Sequence, residues 1–216
     1  MATVTAATAA VTEAMMGGTT MDERRLELVH PPSTPEKRSV IPSQVLGTSI
    51  FVLTEIMMFA GFLSAFNIAK SSAPVWPPVG QPRLPIETTG LNTLVLLSSA
   101  GLLYLAWKRF QESPERANLP MLGAIVTGTF FVVFQGFEWA SLIRDGLTLT
   151  STSHGSFFYV IVGMHAIHVT GALAVFFWVY SLLRQGTLTA PGLRAMQIYW
   201  YFVVGLWPIL YWQVYL

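Results

Sequence analysis

Apolar residues fall into five long runs, and the polar residues, prolines and charges are swept into the segments between them. A helix that crosses a bilayer needs about 20 predominantly apolar residues. The runs cover 44–69 (QVLGTSIFVLTEIMMFAGFLSAFNIA), 88–107 (TTGLNTLVLLSSAGLLYLAW), 118–143, 154–183 and 191–215. The pattern predicts an all-α membrane protein, with five transmembrane helices forming one domain over residues 43–216.

The separators are short and hold the helix breakers. Residues 71–85 contain Pro74, Pro77, Pro78, Pro82 and Pro85, which dictate an extended, non-helical connection. Residues 108–116 are charged, 144–153 are rich in Thr and Ser, and 184–191 contain Gly186. Residues 1–42 read as a polar, unstructured tail. Its first 18 residues carry no basic segment and a single charge, Glu13, unlike a secretory signal or a transit peptide.

Composition sharpens this picture. Only 11% of residues are charged and 53% are hydrophobic, whereas soluble domains carry roughly 25% charged residues. A net charge of +1 argues against a nucleic-acid surface, and the absence of cysteine removes disulfides and thiolate chemistry. The basic residues also give direction. Arg24, Arg25, Lys37, Arg38, Lys108, Arg109, Arg116, Arg184 and Arg194 fall on one side, and only Lys70, Arg83 and Arg144 on the other. The positive-inside rule then predicts a cytoplasmic N-terminus and an external C-terminus.

Four strongly ionisable side chains lie well inside the runs: Glu55, Glu138, His165 and His168. Such groups are costly in hydrocarbon and usually face protein or water, so they are the candidate functional residues. Glu55, without a counter-charge nearby in sequence, is open to two readings: a proton-exchanging carboxyl, or a neutral acid bonding a neighbouring helix. Glu138 lies one turn after Gln135 and suits an interhelical polar clamp. The spacing of His165 and His168 puts both rings on one face, where interhelical hydrogen bonding is expected. A di-metal bundle would use Glu three residues before His; Val162 and His165 occupy those positions, so no metal site is assigned. No nucleotide-binding loop, nucleophile elbow or zinc-protease motif is present.

The order of the motifs adds a further reading. TEIMMFAGFLSAF (54–66) is followed by VWPPVGQPRLPIETTGLNTLVLLSSAG (75–101), QGFEW (135–139), HGSFFYVIVGMHAIHVTG (154–171) and YWYFVVGLWPILY (199–211). This succession resembles subunit III of the cytochrome c oxidases, in the short five-helix form of bacterial relatives that lacks the first two of seven spans. The resemblance covers about Gly47 to the C-terminus. It implies a non-catalytic subunit of a terminal heme-copper oxidase in the aerobic respiratory chain, a proton-translocating oxidoreductase of the bacterial inner membrane. Hemes and copper would sit on partner subunits, with none on this chain. Oxidase subunit I, packed directly against it, subunit II and phospholipids are the implied partners. The family's Ser/Thr-Glu-x-x-x-Phe acid falls on Glu55, its Gln-x-x-Glu acid on Glu138, and its paired histidines on His165 and His168. Arg184 is a candidate for a lipid phosphate.

Some positions depart from the family. Its last span usually reads Tyr-Trp-His-Phe-Val-Asp, where this chain has Tyr201 for His and Val204 for Asp. Two other readings therefore stand beside the first. One is a subunit III-like accessory protein of a nitric oxide reductase. The other is a stand-alone di-metal membrane enzyme using the four ionisable residues.

Overall fold

The computed structural model describes residues 41–76, 78 and 84–215. The tail assigned to 1–42 lies, apart from Ile41 and Pro42, outside the described residues, as do Pro77, Pro82 and Arg83. Five long helices follow one another: α1 Ser43–Ser72, α2 Ile86–Glu112, α3 Asn118–Arg144, α4 Ser153–Arg184 and α5 Ala190–Leu210. A 3-10 turn, Pro114–Ala117, leads into α3, and a π-helical turn, Tyr211–Tyr215, ends the described chain.

Four of these helices, α1 to α4, are long and apolar enough to cross a membrane. The fifth falls short on hydropathy, because Arg194, Gln197, Pro208 and its Trp and Tyr residues dilute the aliphatic ones. Its 21 residues still rise about 31 Å at 1.5 Å each, close to the roughly 30 Å of a hydrocarbon core.

The helix ends follow local chemistry. Thr152 and Thr189 cap α4 and α5, accepting from the amides of Gly155 and Gly192 at 3.2 and 3.3 Å. Both α3 and α4 close on a glycine in the left-handed region, Gly146 at φ 91° and Gly186 at φ 70°. In each case the next amide reaches back five residues, Leu147 to Leu142 and Thr187 to Leu182, both at 3.0 Å. These bonds satisfy carbonyls that would otherwise be orphaned. Helix α2 runs five residues beyond its apolar run, because Lys108, Arg109 and Glu112 leave the membrane without breaking the helix. It stops at Ser113, whose extended backbone is the conformation favoured before a proline, here Pro114.

Helix α5 packs against α1, α2 and α4, and α3 packs against α2 and α4. Trp200 and Trp207, two turns apart on α5, are both fully buried. Their indole N–H groups donate to Ser99 (3.0 Å) and Thr93 (2.9 Å) on α2. Trp200 also presses on α3 where that helix has no side chain: a Cβ added to Gly128 would stand 2.8 Å from the indole. At the opposite edge, Trp76 from the proline-rich connection packs edge-on against Phe66 and His154. Helix α1 is the most loosely held, with Phe59 and Phe66 its only fully buried side chains.

The close approach at Gly128 makes a differential prediction. Gly128→Ala should lower stability by about 1–3 kcal/mol, because the indole must shift in a packed core. Gly163→Ala, where nothing lies within 4 Å of the added carbon, should stay within about 0.5 kcal/mol. Thermal unfolding of both variants in one detergent measures the difference.

Candidate functional site

The four intramembrane ionisable residues do not form one cluster, and only Glu55 and His168 are in contact. Glu55, about 18 Å along α1 at 1.5 Å per residue, faces α4. Its Oε2 lies 2.7 Å from Nε2 of His168, and both side chains are nearly buried, 12% and 13% exposed. The other ring nitrogen of His168, Nδ1, lies 2.7 Å from the Met164 carbonyl. A carbonyl can only accept, so Nδ1 carries a proton. The contact between Nε2 and Oε2 then requires a second proton between them, held by either partner. The approach is close but is not that of a well-aligned hydrogen bond. Phe59, one turn beyond Glu55, stands edge-on to the His168 ring at 5.4 Å and covers the pair. The arrangement is suited to passing or storing a single proton at little cost in net charge. The counter-group that sequence proximity did not supply comes from another helix.

Glu138 is bound quite differently. Its Oε2 accepts from Thr89 at 2.8 Å and from Gln135 at 3.0 Å, and its Oε1 accepts from Thr88. Gln135 also donates to the Tyr215 hydroxyl (3.3 Å), and Asn92 donates to the Phe131 carbonyl (3.1 Å). Three donors on two helices thus converge on one carboxyl, a structural clasp between α2 and α3. Thr88, Thr89 and Asn92 were not singled out from sequence. Their signal is a polar stripe, Thr89, Asn92, Thr93 and Ser99, on the buried face of an otherwise apolar run.

The two histidines share a face but not a role. His165 is 1% exposed, stacked on Trp207 at 5.2 Å and 22°, and neither of its nitrogens has a hydrogen-bond partner. The expected interhelical hydrogen bond is therefore absent at His165, because aromatic side chains occupy the ring's surroundings. Among the described residues, no group of three or more His, Asp or Glu side chains could hold a metal ion.

Two polar positions complete the survey. Tyr201, at the family's His position, accepts from Gln197 at 2.7 Å, and Gln197 in turn accepts from Arg194 at 2.8 Å. Arg184 is exposed in the last turn of α4. At the same end, a groove of about 730 Å³ opens between α1, α4 and α5, with Phe51, Val175, Trp178 and Met196 inside and Thr48 and Thr187 among its polar lining.

The family model for cytochrome c oxidase subunit III matches residues 36–216, which takes in every one of these helices. The chain belongs to the cytochrome c oxidase subunit III family. It is 29% identical over 177 residues to cytochrome c oxidase subunit 3 of a Synechocystis species, covering 80% of this chain and 75% of the relative. It is 31% identical over 179 residues to the probable cytochrome c oxidase subunit 3 of Mycobacterium leprae, covering 79% and 86%. It is 32% identical over 181 residues to cytochrome c oxidase subunit 3 of Pelomedusa subrufa, covering 78% and 67%. These relatives are subunits of an oxidoreductase complex. With four helices apolar enough to span, this subunit III relative is an integral membrane protein.

The geometry predicts which of its acids are coupled to which partners. A double-mutant cycle of Glu55→Ala with His168→Ala should give an interaction energy of about 0.5–3 kcal/mol, as expected for groups in direct contact. Glu55→Ala and Glu138→Ala share no partner and should add to within about 0.5 kcal/mol. Denaturant unfolding of the purified chain reads both.

Proposed function

We propose that this chain is the non-catalytic subunit III of a terminal heme-copper oxidase. The observation that carries the reading is the family match across all five helices. In this reading subunits I and II bear the hemes and copper, oxidise cytochrome c and reduce oxygen to water. This chain packs against subunit I in the bacterial cell membrane and supports proton uptake. Glu55 is its proton-exchanging group, with His168 as the partner that shares the proton. Glu138 works in the interior, holding α2 to α3. The groove between α1, α4 and α5 takes a phospholipid tail, with Arg184 available to the phosphate at that end. The convergence required of a di-metal enzyme receives no support from the separate settings of Glu55 and Glu138.

Purification in mild detergent, with mass spectrometry of the partners and a visible spectrum, tests the assignment. Subunits I and II with a heme a spectrum are the expected result. A nitric oxide reductase catalytic subunit in their place would move the chain to the accessory reading, and stoichiometric iron or zinc on the isolated chain would favour the di-metal enzyme. Glu55→Ala should leave the heme spectrum intact and change the rate at which the complex inactivates during turnover. An unchanged time course would remove the proposed role.

The orientation is a separate expectation. Lys108, Arg109 and Arg116 flank the α2–α3 turn, and Arg184 and Arg194 flank the α4–α5 turn, which supports a cytoplasmic side for both turns. The chain has no cysteine, so single introduced thiols report cleanly. A membrane-impermeant maleimide added to intact cells should label Asp145→Cys and leave Glu112→Cys unlabelled; the opposite pattern would invert the topology.

A further inference from the structure

Arg194, Ile198, Tyr201, Gly205 and Ile209 recur at helical spacing and share one face of α5. None of the five is buried. The stripe is polar in the first turns of the helix and apolar beyond Tyr201. From Arg194 to Ile209 it rises about 22 Å at 1.5 Å per residue. That is the depth of one leaflet, half of the roughly 40–45 Å of a bilayer with its headgroups.

The polar end is held in place by its neighbours. The Arg194 guanidinium lies over the Trp107 ring of α2 at 5.2 Å and donates to Gln197 at 2.8 Å. Gln197, almost fully buried, donates in turn to the Tyr201 hydroxyl at 2.7 Å. The series runs one way and leaves donors spare at both ends. Among the described residues, the other guanidinium N–H groups and the Tyr201 O–H have no acceptor, and Arg194 forms no ion pair. Lys108, exposed next to Trp107 in the chain, adds a second positive charge. The apolar end opens into a groove of about 390 Å³ between α1 and α5. Tyr201 stands in its wall, with Ile56, Ala60 and Leu63 of α1 opposite Gly205 and Ile209 of α5. Unbonded donors facing hydrocarbon are costly, so whatever covers this face brings acceptors to one end and apolar bulk to the other.

We propose that this face of α5 binds one anionic glycerophospholipid, from the leaflet on the side where α5 begins. The lipid carries its groups in the same order as the stripe: phosphate oxygens, then ester carbonyls, then an acyl chain. The phosphate meets Arg194, an ester carbonyl accepts from Tyr201, and one chain lies in the groove between α1 and α5. Arg194 and Lys108 together favour an anionic headgroup over a zwitterionic one. The site is distinct from the groove beside Arg184, with which it shares no lining residue. Tyr201 stands where the family usually has histidine, so the polar end belongs to this chain's own residues. The inference is independent of which catalytic subunit accompanies the chain.

Photo-labelling of the complex, purified in mild detergent, tests it. The probe is phosphatidylglycerol with a photoactivatable group in one acyl chain, and the labelled peptides are mapped by mass spectrometry. Labelling is expected on residues 56–63 and 205–209, and it should exceed that by a phosphatidylcholine probe with the same chains. Arg194→Gln should lower it about fivefold, the weight of one basic residue at an anionic headgroup, and Arg194→Lys should restore most of it. Gly205→Leu should block the chain without disturbing the fold, since nothing lies within 4 Å of the first added carbon. Arg184→Gln should leave these two segments labelled as before. Equal labelling in the wild type and Arg194→Gln would mean an unselective boundary lipid and overturn the site. No labelling of either segment in the complex would mean that another subunit covers the face, and would overturn it too.

Discussion

Hydrocarbon offers a hydroxyl, an amide or a carboxyl nothing to bond to, so each polar group within the bundle must find its partner in protein or trapped water. This constraint explains more of the structure than hydrophobicity does, since lipid is as apolar as the helix faces it touches and apolar burial gives little drive for helices to associate. The associations here run through polar atoms set in tight aromatic packing. Trp200 and Trp207 join α5 to α2 through Ser99 and Thr93. Glu138 joins α3 to α2 through two threonines. Small residues at the contacts, such as Gly128 beneath the Trp200 indole, let these bonds reach.

The helices were legible in the sequence because a run of about 20 apolar residues has few other fates. Their ends were legible to within a few residues where a threonine cap or a glycine turn marks them. The end of α2 was not, since a charged segment continues as helix after it leaves the hydrophobic run. The fifth helix was assigned as an apolar run like the other four, although its hydropathy is the weakest. Its composition makes sense in place: Trp200, Trp207 and Gln197 are interior residues that meet protein on α2 and on α5 itself, so this helix needs polar-edged aromatics more than aliphatic bulk.

The candidate residues were legible as types but not as pairs. A charge within an apolar run stands out in one dimension, whereas its partner depends on how helices rotate against each other. Glu55 seemed without a counter-group because His168 is more than a hundred residues away. The histidines, three apart, seemed to invite one shared role, yet a shift of three residues turns the ring by some 60° around the axis, given 3.6 residues per turn. That rotation is enough to set one imidazole against a carboxyl and the other against an indole.

The Glu55–His168 contact also has a mechanical consequence. Helix α1 buries only Phe59 and Phe66 completely, and among the described residues its side chains make no other hydrogen bond or ion pair to a different helix. Phe59 packs on both histidines, so half of that buried apolar anchor sits on the polar pair itself. The close contact of Oε2 with Nε2 is therefore also part of what holds α1 to α4. Any substitution that breaks the pair alters a helix–helix contact and not only a charge. The pair thus sits at the seam with the fewest fully buried side chains, where a small change in bonding has the least packing to oppose it.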